Sequence, residues 1–230
     1  QRKAVRWMHD FEERMHLQIT YSGNLELCGG WYIDTELECL TRDASPRWAS
    51  VRGGICANAP GSGKTAVALR LIAEDREARI QTSSPPPPAH GAFATHATLL
   101  ILPLNLISQW MAEMEKFWTP GSMRICSVLQ SRDLRELTMS ALCQRYDVVV
   151  TTFYMLRQSR SYLDMVESAL GGRPRTRAAI SAWSRQRNHT EPVLEAIAWR
   201  RIGVDELHET FESAKDMRVL RLFETRALWG

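Results

Sequence analysis

Residues 53–65, GGICANAPGSGKT, contain the residue types of a phosphate-binding loop. In such a loop glycines let the backbone N–H groups point at phosphate oxygens, a lysine reaches the β- and γ-phosphates, and a hydroxyl binds Mg²⁺. A helix that starts at the loop adds the positive end of its dipole. The strict pattern requires glycine where this chain has Asn58, so a chance glycine turn is the alternative interpretation. The residues that match the pattern are Gly61, Ser62, Gly63, Lys64 and Thr65.

The segment RIGVDELH, residues 201–208, contains the acidic groups that a nucleotide-hydrolysing site also needs. Such a site requires an acid at the end of a neighbouring strand to bind Mg²⁺ and a group that orients the attacking water. Asp205 would lie at the carboxyl end of its strand, where ligands bind in open α/β sheets, and Glu206 would orient the water. Acidic pairs after a strand are also common on protein surfaces, so this motif is informative only together with the phosphate loop.

Short apolar runs separated by longer amphipathic segments surround both motifs. The runs are GGICAN (53–58), TLLIL (98–102), ICSVL (125–129), DVVVT (147–151) and RIGVD (201–205). This alternation is typical of βα units whose parallel sheet is buried on both faces. Residues 1–15 place apolar residues at helical spacing, which predicts an amphipathic helix before the first strand. The predicted fold class is α/β, a mostly parallel sheet with helices on both faces.

Three stretches interrupt this alternation. Residues 20–52 show no clear period and are predicted as loop, with a short hairpin around GGWYIDTELECL (29–40). Residues 81–96 contain four successive prolines and are predicted as an exposed loop that is a spacer or a PxxP ligand. Residues 171–188 contain five arginines around Trp183, which suits either contact with a nucleic-acid backbone or a solvated insertion.

Composition excludes several classes of protein. Apolar residues make up 44% of the 230 residues and charged residues 24%, as in an ordinary globular domain. Because no run approaches the roughly 18 apolar residues of a membrane span, we expect no membrane partner. The net charge of +3 permits a nucleic-acid partner without establishing one. The five cysteines form no C-x-x-C pair, which favours a reducing compartment and argues against a disulfide framework or a zinc site.

The order of four segments resembles motifs I, Ia, Ib and II of the Swi/Snf-type ATPases, the DNA-translocating branch of helicase superfamily two. The segments are GGICANAPGSGKT, TLLILPLNLISQWMAEMEKF, YDVVVTTFYMLR and WRRIGVDELH. QRKAVRWM resembles the start of the family's ATPase core, and FETRALWG resembles the segment directly before motif III. The resemblance implies that residues 1–230 are a single N-terminal RecA-like P-loop NTPase lobe of a longer protein. WYIDTELECL and EPVLEAIAWRRIGVDE most resemble the RING-bearing DNA-repair branch.

The resemblance implies how the chain would bind its cofactors, ATP and Mg²⁺. Gln1 would contact the adenine, and Lys64 with the backbone amides of 61–65 would bind the phosphates. Thr65 and Asp205 would bind Mg²⁺. His208 would couple the site to a C-terminal RecA-like lobe of the same parent protein.

The resemblance also implies contacts with a DNA backbone at the carboxyl ends of two strands. The residues concerned are Pro103, Asn105, Ser108, Gln109, Thr151 and Thr152. Hydroxyls and helix N-termini suit phosphate contacts, but helix capping and turn formation are the alternative for the hydroxyl-bearing residues. The apolar residues spaced along the helix after the first of these strands are assigned to packing alone, namely Trp110, Met111, Met114 and Phe117.

The implied function is ATP hydrolysis coupled to movement along double-stranded DNA or a nucleosome, in chromatin remodelling or DNA repair, in the nucleus. Because hydrolysis in this family also needs arginines from the second lobe, the isolated chain is expected to bind nucleotide weakly and turn over little or nothing. The chain departs from the family at Asn58, Ala59, Pro60 and Leu207. A decayed, non-catalytic lobe that binds DNA or protein therefore stays open as a second hypothesis. A third hypothesis is a P-loop kinase or small-molecule ATPase, and the match of the segment LPLNLISQW to the family counts against it.

Overall fold

The computed structural model describes residues 1–14, 17–19, 24–34, 39–42, 47–49, 53–59, 61–82, 93–186 and 191–230. Its helices are α1 (Arg2–Arg14), α2 (Lys64–Thr82), α3 (Ile107–Phe117), α4 (Met139–Gln144), α5 (Phe153–Gln158), α6 (Arg160–Ala169), α7 (Arg177–Ser184), α8 (Leu207–Glu212) and α9 (Ala214–Leu220). Its strands are β1 (Leu17–Ile19), β2 (Asn24–Glu26), β3 (Tyr32–Asp34), β4 (Cys39–Thr41), β5 (Arg47–Ala49), β6 (Gly53–Gly54), β7 (Phe93–Ala94), β8 (Thr98–Ile101), β9 (Ile125–Ser127), β10 (Val148–Thr151), β11 (Ile197–Trp199), β12 (Arg201–Val204), β13 (Glu224–Thr225) and β14 (Leu228–Trp229). None of these helices combines the length and the apolar character needed to cross a bilayer.

Six strands form the central sheet in the order β6-β14-β12-β8-β10-β9, and every neighbouring pair is parallel. β8 pairs along its whole length with β10 on one side and β12 on the other. Because the strands are parallel, their carboxyl ends lie at one edge of the sheet. The loops that follow β6 and β12 therefore share that edge, as the α/β prediction requires.

Helices cover both faces of the sheet, which confirms the predicted class. Leu99 and Ile101 of β8 are fully buried in a cluster with residues of α4 to α9. Leu100, which points the other way, packs in a second cluster with Leu69 of α2 and Trp110 of α3. The predicted first helix is confirmed as α1, which packs against α2 and the end of β14. Burial on both faces explains why the strands are continuous apolar runs.

Strand β14, near the end of the chain, lies between β6 and β12, although the sequence predicts no strand there. Gly53 permits this close approach: its φ is 120°, and a β-carbon on it would lie 1.8 Å from the carbonyl oxygen of Leu228. Only glycine tolerates both the conformation and the contact. Beyond the strands, the amide of Cys56 donates to the carbonyl of Gly230 at 2.6 Å, so β14 ends beside the chain that enters the phosphate loop.

The described residues form three smaller sheets outside the central one: antiparallel β2-β3-β4, the antiparallel pair β1 and β5, and parallel β13-β11-β7. The predicted hairpin in 29–40 is present as β3 and β4, but strands of three residues are too short to show a period, so the others were not predicted. The predicted 81–96 loop is shorter than expected, because α2 continues to Thr82 and β7 begins at Phe93. Residues 83–92, including the prolines, lie outside the described residues.

In the stretch predicted from its composition as an exposed loop or insertion, 171–188, the described residues 171–186 are exposed at both ends but include a buried helix. Helix α7 lies within this stretch, and the hydroxyl of Thr176 caps it by accepting a hydrogen bond from Ala179 N at 3.2 Å. Ile180 and Trp183 are buried in the core. The prediction failed because arginines dominate the composition of the stretch, and two apolar residues three positions apart are too few to indicate a buried helix.

Two of the arginines in that stretch form internal ion pairs. Arg175 pairs with the fully buried Glu195, which also accepts a hydrogen bond from the hydroxyl of Tyr162 at 2.5 Å. Arg177 pairs with Glu224 of β13. Both predicted roles, contact with nucleic acid and a solvated surface, are therefore wrong for Arg175 and Arg177, because their charges join elements of the fold.

At the amino-terminal edge of the sheet, a buried network of charges attaches α1 and α2 to β12. The guanidinium of Arg201 donates to both carboxylate oxygens of Glu12 at 2.5 Å and to Asp75 at 2.7 Å. The indole of Trp229 donates to Glu12 at 2.8 Å. Burial alone would raise the pKa of Asp75, but the charges of Arg201 and Arg200 outweigh it and lower that pKa.

A second buried carboxylate at this edge, Asp147, precedes β10 and is bonded to three arginines. Arg124 donates to it at 3.0 Å and Arg76 at 3.2 Å, and Arg79 completes the group. Burial alone would raise the pKa of Asp147, but hydrogen bonds from Arg124 and Arg79 outweigh it and lower the pKa to about 2. Asp147 thus joins the second half of α2 to β9 and β10.

Candidate nucleotide site

The chain between β6 and α2 forms a curled loop. Gly61 and Gly63 have φ angles of 76° and 86°, a region that glycine adopts without strain. Helix α2 begins at Lys64, so the free amides of its first turn lie at the loop. The ammonium of Lys64 donates to the carbonyl of Asn58 at 2.8 Å and thus spans the loop. The order of strand, loop and helix agrees with the predicted phosphate loop; Pro60, one of the departures, lies outside the described residues.

Gln1 lies against this loop, although it is distant from it in sequence. A β-carbon on Gly63 would lie 2.3 Å from Nε2 of Gln1. The carbonyl of Gln1 accepts a hydrogen bond from Val5 N at 3.1 Å, so α1 starts beside the phosphate loop. The Glu12 network holds the other end of the same helix. The structure therefore brings together the glutamine and the loop that the resemblance assigns to one nucleotide.

Asp205 lies directly after β12, at the same edge of the sheet. Its amide donates to the carbonyl of Ile101 at 3.2 Å, which extends the pairing of β12 with β8 by one residue. One carboxylate oxygen accepts a hydrogen bond from the indole Nε1 of Trp110 at 2.7 Å, and the other accepts one from Glu206 N at 3.0 Å. Trp110 was assigned to packing alone; the signal that could have revealed its second role is that a buried indole N–H needs an acceptor.

Glu206 has a left-handed backbone, with φ 51° and ψ 44°. It is the one non-glycine residue with positive φ in the described part of the chain. This conformation costs a residue with a side chain about 1–2 kcal/mol and is typical of functional sites. The carboxylate is 44% exposed and lies 3.2 Å from Nδ1 of His208, which is 70% exposed. Glu206 and His208 are therefore neighbours at the accessible edge of the sheet.

The phosphate loop and Asp205 follow strands that are separated by β14, which corresponds to about 10 Å across the sheet. Gly230 lies in this interval, bonded to Cys56 on the side of the loop. On the other side, a β-carbon on Gly230 would lie 2.1 Å from Cδ2 of Leu207. Leu207, a departure from the family pattern, is thus accommodated against a residue that has no side chain.

The donor groups at this edge fit a nucleotide with Mg²⁺. Thr65 in the first turn of α2 and Asp205 after β12 offer oxygen ligands, which Mg²⁺ prefers. Lys64 and the curled backbone offer positive charge and N–H donors, which phosphate oxygens prefer. The structure thus places each residue of the predicted phosphate and metal sites at one edge of the sheet.

The polar residues assigned to DNA at the start of α3 are accessible. Asn105, Ser108 and Gln109 are exposed, and Pro103 is half-buried beside them. The residue at the N-cap of α3 is Leu106, with no side-chain cap. Helix capping, the alternative for Ser108, is therefore not its role in this structure.

Thr151 and Thr152 use their hydroxyls inside the chain instead. Thr151 is fully buried, and its hydroxyl donates to the carbonyl of Val128 at 2.8 Å. The hydroxyl of Thr152 accepts a hydrogen bond from Met155 N at 2.9 Å and caps α5. Both hydroxyls are thus buried where the chain leaves β10, Thr152 as a helix cap and Thr151 bonded to the carbonyl that follows β9, which counts against side-chain contact between this pair and a DNA backbone.

A small pocket of about 120 Å³ lies between Thr152 and the acidic motif. Its lining includes four carboxylates, those of Asp205, Glu206, Glu209 and Asp216. Arg157 pairs with Asp216 at 2.7 Å. The remaining negative charge repels a phosphate backbone. The pocket is therefore a poor place for a phosphate backbone, whereas the first turn of α3 has no acidic residue.

Among the residues that the structure describes, one other cluster of titratable groups has spacing that suits a metal. Ligand atoms of His9, Glu12 and Asp75 lie within 4.8 Å of one another. However, Arg201 already binds both carboxylates, and Arg200 adds a second positive charge to Asp75. A cation would have to displace these guanidinium groups, so the cluster fits an ion-pair network better than a metal site.

Comparison with known proteins finds a matching family model and several relatives. A family model described as SNF2-related domain matches residues 1–228. DNA (cytosine-5-)-methyltransferase DMT5 of Cryptococcus neoformans is 31% identical over 151 residues, 65% of this chain and 6% of that protein. DNA excision repair protein ERCC-6-like of Bos taurus is 34% identical over 106 residues, 46% of this chain and 7% of that protein. DNA repair protein rad5 of Aspergillus fumigatus is 28% identical over 175 residues, which cover 70% of this chain and 13% of that protein.

Among solved structures, the Sulfolobus solfataricus SWI2/SNF2 ATPase core in complex with dsDNA matches 76% of this chain and 26% of that chain, with 15% identity and a TM-score of 0.46. The chain spans 6 to 13% of the length of the three curated relatives. The family match includes the phosphate loop, α3 and the acidic motif, and it confirms the resemblance to the Swi/Snf-type ATPases. The RING-bearing branch stays a prediction. The chain belongs to the SNF2-related domain family.

Proposed function

We propose that this chain is the ATP-binding lobe of an ATP-dependent double-stranded DNA translocase that acts in chromatin remodelling or DNA repair in the nucleus. The observation that supports this most is the placement of the phosphate loop and Asp205 at one edge of a parallel sheet, in a chain of the SNF2-related family. Two of the relatives have DNA repair in their names, which supports the DNA part of the proposal.

In this proposal each residue at the edge has one role. The amides of 61–65 and the ammonium of Lys64 bind the phosphates of ATP, and Gln1 contacts the adenine. Thr65 and Asp205 bind Mg²⁺, which when bound neutralises charge that develops on the phosphates. Glu206, whose side chain extends from a left-handed residue at the strand end, orients the attacking water.

Two further contacts belong to the proposal. The exposed residues at the start of α3, Asn105 just before the helix and Ser108 and Gln109 in its first turn, contact the DNA backbone, where side-chain amides and hydroxyls suit phosphate oxygens. A second RecA-like lobe of the parent protein supplies the arginines that hydrolysis requires, and the exposed His208 faces it. The isolated chain then binds nucleotide weakly and turns over little, and a robust DNA-stimulated ATPase rate from residues 1–230 alone would contradict the need for that lobe.

Nucleotide binding by the 230-residue chain, with and without Mg²⁺, tests the phosphate loop. We expect Lys64→Ala to weaken binding of an ATP analogue about 10- to 100-fold, because a charge-assisted hydrogen bond contributes about 1.5–3 kcal/mol. Lys116→Ala is the matched control, since Lys116 is 70% exposed on α3 and pairs with Glu113 away from the loop. Equal affinities for wild type and Lys64→Ala would contradict the assignment.

A non-catalytic lobe that binds DNA or protein is the second candidate. It is favoured by Asn58 and Ala59, which replace two acids of the family pattern, and opposed by the retained Lys64, whose ammonium donates to the backbone carbonyl of Asn58 within the loop. The two candidates predict different ATPase behaviour of the parent protein. The translocase hydrolyses ATP faster when DNA is added and loses this activity in Lys64→Ala, whereas a non-catalytic lobe shows no DNA-stimulated hydrolysis in either form.

A further inference from the structure

Trp110 makes a contact that its place in the core does not require. Its side chain is only 7% exposed and packs with Leu100, Leu69 and Met114 on the face of the sheet covered by α2 and α3. Its indole Nε1 nevertheless reaches the carboxyl edge and donates to Asp205 at 2.7 Å. A buried aromatic ring is thus bonded directly to the carboxylate assigned to Mg²⁺.

This hydrogen bond limits the orientations that the carboxylate of Asp205 can adopt. One oxygen accepts the Trp110 indole N–H, and the other accepts the amide of Glu206 at 3.0 Å. A donor to an ionised acceptor forms one of the stronger hydrogen bonds in proteins. The ring itself cannot turn away, because the apolar cluster surrounds it. The rotamer of Asp205 is therefore set from both sides.

The same tryptophan links two parts of the site through its side chain. Trp110 lies one residue after the exposed Gln109, in the first turn of the helix proposed to contact DNA. Asp205 lies after β12, in the loop proposed to bind Mg²⁺. Among the described residues, the hydrogen bond from Trp110 is the one that joins α3 directly to Asp205. A shift at the start of α3 would thus reach the carboxylate through one identifiable bond.

We propose that Trp110 is a positioning residue that orients Asp205 for Mg²⁺ and connects it to the DNA-facing turn of α3. This inference rests on the proposed function for the identity of the metal site. Groups that orient a metal ligand by hydrogen bonding typically change metal affinity 10- to 100-fold when they are removed. Trp110→Phe removes the indole N–H and keeps an aromatic ring in the cluster.

The first test measures how the binding of an ATP analogue to the 230-residue chain depends on Mg²⁺ concentration. For Trp110→Phe we expect the Mg²⁺ concentration at half-maximal binding to rise about 10-fold, with binding in the absence of Mg²⁺ unchanged. Trp118→Phe is the matched control, because Trp118 belongs to the same cluster at the end of α3. Equal midpoints for wild type and Trp110→Phe, or equal shifts in both variants, would overturn the proposal.

A second test needs no nucleotide. In a ¹H–¹⁵N spectrum, the indole resonance of Trp110 is identified by its absence from Trp110→Phe. We expect Asp205→Asn to move this resonance upfield, since a neutral acceptor polarises the N–H less, and the control Glu206→Gln to leave it near its original position. An unmoved resonance in Asp205→Asn means that Trp110 does not orient Asp205. If wild type shows no Mg²⁺-dependent binding, the proposed function fails, and the spectrum still decides the role of Trp110.

Discussion

At the amino-terminal edge of the central sheet, Arg201 and Glu12 are buried and bonded to each other, whereas at the carboxyl edge Lys64 and Glu206 remain accessible. Arg201 is 3% exposed and Glu12 1%. Lys64 reaches a backbone carbonyl of its own loop, and Glu206 is 44% exposed beside a histidine. The same types of charged side chain thus have opposite surroundings at the two ends of the same strands.

The difference shows how one fold uses charges for stability and for chemistry. A buried charge is tolerated only when it is paired and fully hydrogen-bonded, so Glu12 and Asp147 are surrounded by guanidinium groups. A charge that is to bind a ligand needs free hydrogen-bonding capacity, so it must stay accessible. We therefore expect substitutions at the first edge to affect mainly stability and substitutions at the second to affect mainly binding.

The largest effect is expected for Arg201→Met. It removes the guanidinium that donates to both carboxylate oxygens of the buried Glu12 and leaves Arg200, at 3.6 Å, as the remaining positive charge. Breaking a buried ion pair typically costs about 3–5 kcal/mol of unfolding free energy. Urea denaturation of the 230-residue chain measures the loss. The double variant Arg201→Met with Glu12→Met should recover part of it, because the buried carboxylate is gone, although the indole N–H of Trp229 then lacks that acceptor. A loss below about 1 kcal/mol in the single variant would show that the network is not important for stability.

Asp147→Asn should have the next largest effect, about 2 kcal/mol at pH 7. The pKa of Asp147 is lowered from 3.8 to about 2, and each unit corresponds to about 1.4 kcal/mol. Because the folded pKa lies below the unfolded one, this stabilisation is fully present above pH 3.8 and is lost as pH falls towards 2. Denaturation of wild type and variant from pH 7 to 2 should show the difference shrinking.

The control for this prediction is Asp164→Asn, an exposed carboxylate on α6, which should change stability by less than about 0.5 kcal/mol at any of these pH values. A difference between wild type and Asp147→Asn that stayed constant down to pH 2 would contradict the role given to the arginines around Asp147.

At the carboxyl edge the expected change in stability has the opposite sign. Glu206→Gly should raise the unfolding free energy by up to about 1 kcal/mol, because glycine adopts a φ of 51° without strain. Glu209→Gly, in the first turn of α8, should lower it by about 0.5–1 kcal/mol, because no positive φ is relieved there and glycine is a poor helix former. Thermal unfolding of both variants measures the contrast. Destabilisation by Glu206→Gly would mean that the left-handed residue is not strained.

The smallest effect on stability is expected for Lys64→Ala. Its hydrogen bond to Asn58 is exposed, so the unfolding free energy should change by less than about 0.5 kcal/mol. Equilibrium denaturation of the sample used for nucleotide binding provides the measurement. A loss comparable to that of Arg201→Met would place Lys64 among the residues that hold the fold, and would remove the contrast between the two edges.

Much of the site was predictable because its signals are local. Lys64 and Thr65 follow glycines at a fixed spacing, and Asp205 directly follows an apolar run, so residue types alone indicated phosphate and metal ligands. The parallel sheet was predictable from its apolar runs for the same reason. The position of Gln1 beside Gly63 was expected only through the family resemblance, since nothing local joins the two.

The features that were missed depend on partners that are distant in sequence. The arginines near residue 175 have the composition of an exposed loop, but Glu195 and Glu224 pair with them. The two-residue strand β14 has no period to detect and exists because Gly53 admits its backbone. Thr151 is a polar residue whose exposure could not be known before Val128, directly after β9, was placed beside it.

The sequence by itself determined the chemistry available to this protein, because glycine spacing, a lysine and a strand-terminal acid have direct consequences for backbone shape and charge. The tertiary structure decided which of its charged and polar groups are accessible for that chemistry. It paired Arg201 with Glu12, buried Thr151, left Glu206 exposed and placed the indole of Trp110 against Asp205. Each of these outcomes depends on contacts between distant segments, and burial and pairing are properties of the packed chain.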